Sequence, residues 1–160
     1  MRLFQKTKAL LAVCSGNAQP LSAVPDEAFA SEMLGKGFAV EPSEPFFYSP
    51  VDGTLESISD TCHAYTILTE DGLDVLVHIG VDTVTLGGRG FSPAVQAGRR
   101  IRAGELLARV DLELLKEKGL PTVTSVLVTN PEMLESIEYQ FGKVIGGKDA
   151  VVAYRTKKKG

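Results

Sequence analysis

Residues 61–84 read TCHAYTILTEDGLDVLVHIGVDTV, and the order of side chains in this stretch decides the fold. After Gly72, the positions Leu73, Val75, Val77, Ile79 and Val81 alternate with Asp74, Leu76, His78 and Gly80. Strict alternation with β-branched residues on one side predicts a half-buried strand over residues 73–81. The odd positions form its core face, and His78 lies on the other face beside Leu76. Before the turn, Cys62, Ala64, Thr66 and Leu68 alternate with His63, Tyr65 and Ile67. His63 and His78 are the two histidines of the chain.

The loop between these strands decides whether the histidines meet, because side chains alternate with period two. A four-residue loop over 69–72 pairs Leu68 with Leu73 and sets His63 directly opposite His78. A two-residue Asp71-Gly72 turn makes them diagonal neighbours on the same face. A three-residue loop separates them onto opposite faces. Asp-Gly suits the two-residue turn, and a left-handed Gly72 also suits the four-residue loop. With an even loop, Ala64, Thr66 and Leu68 share a face with Val75 and Val77. The expectation is therefore a histidine pair on one sheet face, ringed by Tyr65 and Leu76.

A neutral imidazole is a nucleophile, a general base or a metal ligand. One histidine of a pair can attack a phosphoryl group while the other donates a hydrogen bond to the phosphoryl oxygens. The pair can instead hold zinc. The bland alternative is two ordinary strand residues.

The chain of 160 residues fits one domain with a sizeable core. Its net charge of −3 leaves no basic excess to neutralise phosphates, which argues against a nucleic-acid binder. The 16 glycines and 8 prolines punctuate short segments, as in all-β folds. Cys14 and Cys62 lack the spacing of a disulfide framework and read as free thiols in a reducing compartment. The apolar run 9–14 is six residues long, short of a signal peptide, and no stretch approaches a membrane span. The expected location is the cytoplasm, without stable membrane insertion.

Residues 1–8 are basic and expected to be loose, with a first strand over 10–13 ended by Ser15-Gly16-Asn17. Pro25 to Phe29 reads as a short helical turn, and Phe29 as a core residue or an apolar contact near the site. Leu34-Gly35-Lys36-Gly37 lacks the ending of a phosphate loop and reads as a turn into a strand over 38–40. Phe46, Phe47 and Tyr48 suit a connector or a short edge strand. Further strands are expected over 54–58, 123–128, 142–145 and 150–154, with short ones broken by Gly98 and Gly104. Residues 86–91 read as a glycine-rich surface loop. Asp111 is an N-cap for a helix over 112–118, closed by Gly119. Asn130-Pro131 is read as the start of a short helix reaching about Ser136.

The stretches SGNAQPLSAVPDEAF, MLGKGFAVEPSE, SPVDGTLESISDTCHAYTI, LDVLVHIGVDTVTLGGRGF, VQAGRRIRAGELLARVDLELLKEKG and VLVTNPE run in order through nearly the whole chain. Together they resemble the glucose-type IIA component of the bacterial phosphoenolpyruvate-dependent sugar phosphotransferase system. The resemblance implies an all-β fold: an antiparallel β-sandwich, or barrel-sandwich hybrid, with a few short helices. It implies a flexible N-terminal segment and first strand over 1–13, one IIA phosphocarrier domain over 14–154 and a basic tail over 155–160. The family motif VHxGxDTV falls on Val77 to Val84 and makes His78 the phosphorylated nucleophile. The second active-site histidine falls on His63, which hydrogen-bonds the phosphoryl group. Thr61 orients that imidazole, and the Gly80 carbonyl fixes the other ring nitrogen of His78, leaving Nε2 to attack. Asp26 and Asp82 fall at the rim, and Phe29 and Leu76 at apolar partner-binding positions. Cys62 stands where many relatives carry a polar residue or glycine, and Ser59 at a position aromatic in some relatives.

The implied chemistry is phosphoryl transfer from phospho-HPr, the small histidine phosphocarrier, to His78 and on to the IIB domain of a sugar permease. Sugar specificity then belongs to the permease. No cofactor is expected beyond the covalent phosphohistidine, with zinc at an interface through His63 and His78 as an added option. Two rival readings compete with this one. A regulatory binding module would use the same face. A zinc hydrolase would use His78 and Asp82 as H-x-x-x-D, but two histidines leave its site short of a ligand.

Overall fold

The computed structural model describes residues 7–157. Residues 1–6 of the expected loose segment and residues 158–160 of the basic tail lie outside them. Fourteen strands make up most of the regular structure among the described residues: β1 (Lys8–Leu11), β2 (Gly16–Pro20), β3 (Lys36–Pro42), β4 (Phe46–Tyr48), β5 (Gly53–Ile58), β6 (Ala64–Leu68), β7 (Asp74–His78), β8 (Phe91–Pro93), β9 (Arg100–Ile101), β10 (Leu106–Val110), β11 (Thr124–Val128), β12 (Leu134–Tyr139), β13 (Gly142–Val144) and β14 (Ala150–Thr156). Two short helices, α1 (Glu27–Ala30) and α2 (Leu112–Glu117), complete the regular structure with three 3₁₀ turns.

Every strand pairing is antiparallel. The largest sheet has eight strands in the order β13-β2-β3-β11-β7-β6-β5-β9, and two three-stranded sheets, β1-β14-β12 and β4-β10-β8, accompany it. One buried cluster draws on all three: Phe38, Leu55, Ile67, Val75, Val77 and Val126 from the large sheet meet Leu10, Phe47, Leu107 and Val152 from the small ones. This is the shared core of an antiparallel β-sandwich. A second apolar cluster lies on the other face of the large sheet, where Ala39, Leu127 and half-buried Leu76 pack with Leu21, Val24, Phe29, Val81 and Val123. Period-two alternation explains both, since neighbouring residues on β3, β7 and β11 serve opposite faces. Among the described residues, no helix is long and apolar enough to cross a membrane.

The hairpin β6–β7 differs from the expected one. Leu68 pairs with Asp74 and Ala64 with His78, so the loop is odd. Thr69 N donates to Leu73 O and Gly72 N to Thr69 O, closing a three-residue loop with Gly72 at φ 92°. The core face of β6 is therefore Tyr65 and Ile67, both fully buried, and not Ala64, Thr66 and Leu68. Tyr65 points into the shared core, away from the histidines. The loop is held from a distance: Asn130 Oδ1 accepts from Asp74 N at 2.9 Å, and its Nδ2 donates to Gly72 O at 2.9 Å.

That use of Asn130 explains a second correction. Asn130 caps no helix; a 3₁₀ turn over Pro131–Met133 leads straight into strand β12, where a helix was expected. Gly16 and Asn17, expected with Ser15 to end the first strand, instead open strand β2, whose Gly16 lies where a Cβ would fall 1.9 Å from Glu41 O. Elsewhere the reading stands closer: β4 is an edge strand, and Asp111 accepts from Leu114 N at the start of α2. β1 begins at Lys8, earlier than the expected strand, and β14 runs to Thr156, two residues into the assigned tail.

Candidate functional site

His78 closes strand β7, and the residues after it leave the ladder. Gly80 has φ 75° and Asp82 φ 61°, both in the left-handed region. Only glycine fits the first position, because a Cβ there would lie 2.5 Å from Thr83 Cγ2 and 2.9 Å from Pro121 O. The turn reverses the face of the chain. Leu73, Val75, Val77 and Ile79 belong to the shared core, while Val81 joins the second cluster. It also folds the Gly80 carbonyl back to His78, whose Nδ1 lies 3.0 Å from that oxygen. A carbonyl oxygen only accepts, so Nδ1 carries a proton and the neutral ring keeps its lone pair on Nε2.

His63 arrives by another route. It stands just before β6, and its carbonyl accepts from Ile79 N at 2.8 Å as a last rung of the pairing. Cys62 before it has φ 63°, a conformation uncommon for a residue with a side chain. The chain bends there, and parity of the ladder stops governing which way the next side chain points. The odd loop would have separated the two histidines had His63 lain inside a regular strand. The imidazoles instead meet edge to face, with ring centroids 4.9 Å apart and planes at 83°. The expected pair is present, although the loop argument for it was wrong.

Hydroxyl groups hold the His63 ring. Thr61 Oγ1 lies 2.5 Å from its Nδ1, and Ser59 Oγ lies 3.3 Å from the same atom. Sequence reasoning assigned Thr61 and missed Ser59. The available signal was a serine just upstream of a tight turn, a residue type that commonly bonds nearby backbone. Gly88 of the glycine-rich loop lies against Thr61, with a hypothetical Cβ 3.9 Å from its Cα.

The apolar surroundings come from the second cluster. The Phe29 ring lies 4.9 Å from that of His78, tilted by 53°, and Phe29 is 7% exposed. It is thus both a packed residue and a direct neighbour of the nucleophile candidate. Leu76 shares the His78 face of β7 and packs against the same cluster. Asp26 has a local task as well: its carboxylate accepts from Ala28 N at 3.0 Å as the N-cap of α1. Asp82 is exposed at the start of the 3₁₀ turn Thr83–Leu86. Val84 in that turn is 53% exposed, an apolar side chain two residues from Asp82 that sequence reasoning did not single out.

Burial lowers the pKa of both imidazoles. For His63 the proximity of His78 adds to the effect. For His78 the Gly80 carbonyl and the charges of Asp26 and Asp82 work against it without cancelling it. Both rings are therefore neutral at neutral pH, as a nucleophile and a neutral donor require. His78 is half-buried and His63 is 9% exposed. Among the described residues, no group of three or more His, Cys, Asp or Glu side chains is arranged to hold a metal ion.

Known proteins share this architecture. The family model for the phosphoenolpyruvate-dependent sugar phosphotransferase system, EIIA 1, matches residues 8–134. The PTS system glucose-specific EIIA component of Borreliella burgdorferi is 36% identical over 155 residues, 96% of this chain and 82% of that protein. The PTS system glucose-specific EIICBA component of Streptococcus pneumoniae is 42% identical over 145 residues, 91% of this chain and 20% of that longer protein. The solved structure of glucose permease IIA from Mycoplasma capricolum superposes with a TM-score of 0.86 at 35% identity, covering 96% of this chain and 99% of that one. A match over most of its length, joined to the same sandwich, makes this chain a member of the EIIA 1 family, a phosphocarrier component of the sugar phosphotransferase system.

Proposed function

We propose that His78 Nε2 is the phosphoryl acceptor of this phosphocarrier and that His63 Nε2–H stabilises the transferred group. The observation that carries this reading is the bond between His78 Nδ1 and Gly80 O, which leaves the Nε2 lone pair available beside a second neutral imidazole. The donor is phospho-HPr and the acceptor a cysteine or histidine on the IIB domain of a sugar permease.

In the first step the P–N bond of the donor phosphohistidine breaks as a P–N bond to His78 Nε2 forms. The donor nitrogen leaves with the bonding pair, and His78 keeps its Nδ1 proton on the Gly80 carbonyl. No proton need leave His78. The second step reverses the roles, with His78 Nε2 as the leaving nitrogen. Positioning and charge stabilisation supply the rate of such in-line transfers. His63 contributes a fixed donor, and half-buried Leu76, with Phe29 packed behind it against His78, gives a partner an apolar surface from which water is expelled on docking.

Asp26 and Asp82 are rim charges that a docking partner would sense. The two imidazoles amount to half of a tetrahedral zinc site, so zinc would need further ligands from a partner protein. The expectation of a cytoplasmic protein goes with this reading. Incubation with phosphoenolpyruvate, enzyme I and HPr, followed by mass mapping, tests it. One phosphoryl group on His78, labile in acid and stable in base, is expected. An acid-stable ester on serine or threonine, or labelling retained in His78→Ala, overturns it.

A further inference from the structure

We infer that Ser59 selects the tautomer of His63, a positioning role that rests on reading His63 and His78 as the phosphoryl-transfer pair. A hydroxyl has one proton to donate and two lone pairs that accept. Ser59 Oγ accepts from His63 N at 3.2 Å and from Ala64 N at 3.1 Å. Both lone pairs are engaged, and the O–H alone remains. The nitrogen within its reach is His63 Nδ1, at 3.3 Å. A protonated Nδ1 would meet no free lone pair on Ser59, whereas an unprotonated Nδ1 accepts the Ser59 proton.

Thr61 does not make this choice. Its Oγ1 bonds His63 Nδ1 and no other group among the described residues, so it donates or accepts with equal ease. Thr61 holds the ring in place, and Ser59 fixes the direction of the bond. The Ser59 backbone is itself tied down. Its N–H donates to Ala64 O at 2.9 Å, and its carbonyl accepts from Cys62 N at 2.8 Å. These bonds close a tight loop around left-handed Cys62 and keep the hydroxyl under the imidazole.

The consequence is a matched pair of opposite tautomers. His78 is protonated at Nδ1 by its bond to the Gly80 carbonyl and presents a lone pair at Nε2. His63 is unprotonated at Nδ1 and presents N–H at Nε2. One ring attacks phosphorus while the other donates to its oxygens.

Long-range proton–nitrogen NMR of the uniformly ¹⁵N-labelled full chain, above the histidine titration, reads both tautomers directly. Expected for His63 is a pyridine-type Nδ1 and a pyrrole-type Nε2. Ser59→Ala shifts the His63 ratio about five-fold toward the Nδ1–H form, the worth of one neutral hydrogen bond. Ser59→Thr restores the wild-type ratio, and His78 keeps its own tautomer in both variants. A wild-type His63 protonated at Nδ1 overturns the inference, as does an unchanged ratio in Ser59→Ala. Where Ser59→Ala fails to fold, Thr61→Val decides: a His63 ratio that stays on the Nε2–H side supports the inference, and one that moves to Nδ1–H overturns it. Because the spectrum needs no phosphorylation, its outcome is separate from the mapping of the acceptor residue.

Discussion

Gly80→Ala tests the link between backbone strain and the state of the nucleophile. At φ 75° an added Cβ is in the left-handed region, which costs an L-residue about 1–2 kcal/mol. The smaller entropy of the unfolded alanine chain returns about 0.4–1 kcal/mol of that. The added carbon also lands 2.5 Å from Thr83 Cγ2 and 2.9 Å from Pro121 O. Pro121 O is not free to withdraw, since it accepts from Val81 N at 3.1 Å, and Thr83 is held by its own bond to Ile79 O at 2.6 Å. Such overpacking adds about 1–3 kcal/mol. The net is a loss of about 1–5 kcal/mol in stability, the strain and overpacking costs less the entropy returned by the unfolded chain. Gly119→Ala is the control. It has φ 70° with nothing within 4 Å of the added carbon, so it carries the strain without the clash. Urea unfolding of both variants separates the two costs, read as midpoint shifts at constant slope. The same substitution displaces the carbonyl that holds His78 Nδ1, so phosphoryl acceptance by the folded fraction falls about five-fold, one neutral hydrogen bond. A Gly80→Ala protein no less stable than Gly119→Ala, with an unchanged acceptance rate, refutes this account of the turn.

Other perturbations separate the remaining parts. His63→Gln is expected to accept phosphate, because an amide supplies a donor, but to pass it on poorly; normal onward transfer in a coupled sugar assay counts against the donor role. Asn130→Ala removes both bonds that hold the β6–β7 loop and costs about 2 kcal/mol in chemical denaturation, at roughly 1 kcal/mol per bond; no loss would mean that the loop needs no staple. The imidazoles of both His63 and His78 are held below their ordinary value of 6.5, so the unfolded chain binds protons that the folded chain refuses. Stability therefore has its full value above that pH and falls as pH drops below it. Replacing both histidines with glutamine should remove that part of the pH dependence, and an identical profile in the double variant would contradict the burial argument.

The strand β7 was legible because Val75 and Val77 alternate with Leu76 and His78, and the core of a sheet imposes that order. The partner face of β6 was not. Asp71-Gly72 permits loops of two, three or four residues, and the choice rests partly on Asn130, 58 residues from Gly72. The histidine pair was expected from an even loop and exists with an odd one. The missing information was the left-handed backbone of Cys62, which no local propensity announces for cysteine. The false helix after Asn130-Pro131 has a similar cause. A good capping side chain was present, but tertiary bonds to Asp74 and Gly72 had claimed it. Strand β2 was hidden by its polar residues, Asn17 and Gln19, which alternate with buried Ala18. The assignments of Thr61 and Gly80 came from resemblance, which also made Phe29 and Leu76 partner-binding positions. The residues alone placed Leu76 beside His78 and left Phe29 open between core and site contact, with Thr61 and Gly80 unmarked.

The central claim is that the backbone around Gly80 commits His78 to react through one nitrogen. Phosphorus–nitrogen coupling in the ¹⁵N-histidine-labelled, phosphorylated protein measures this directly. A phosphoryl group bonded to His78 Nε2, with Nδ1 still protonated, is the predicted state. A bond to His78 Nδ1, or to either nitrogen of His63, would contradict it.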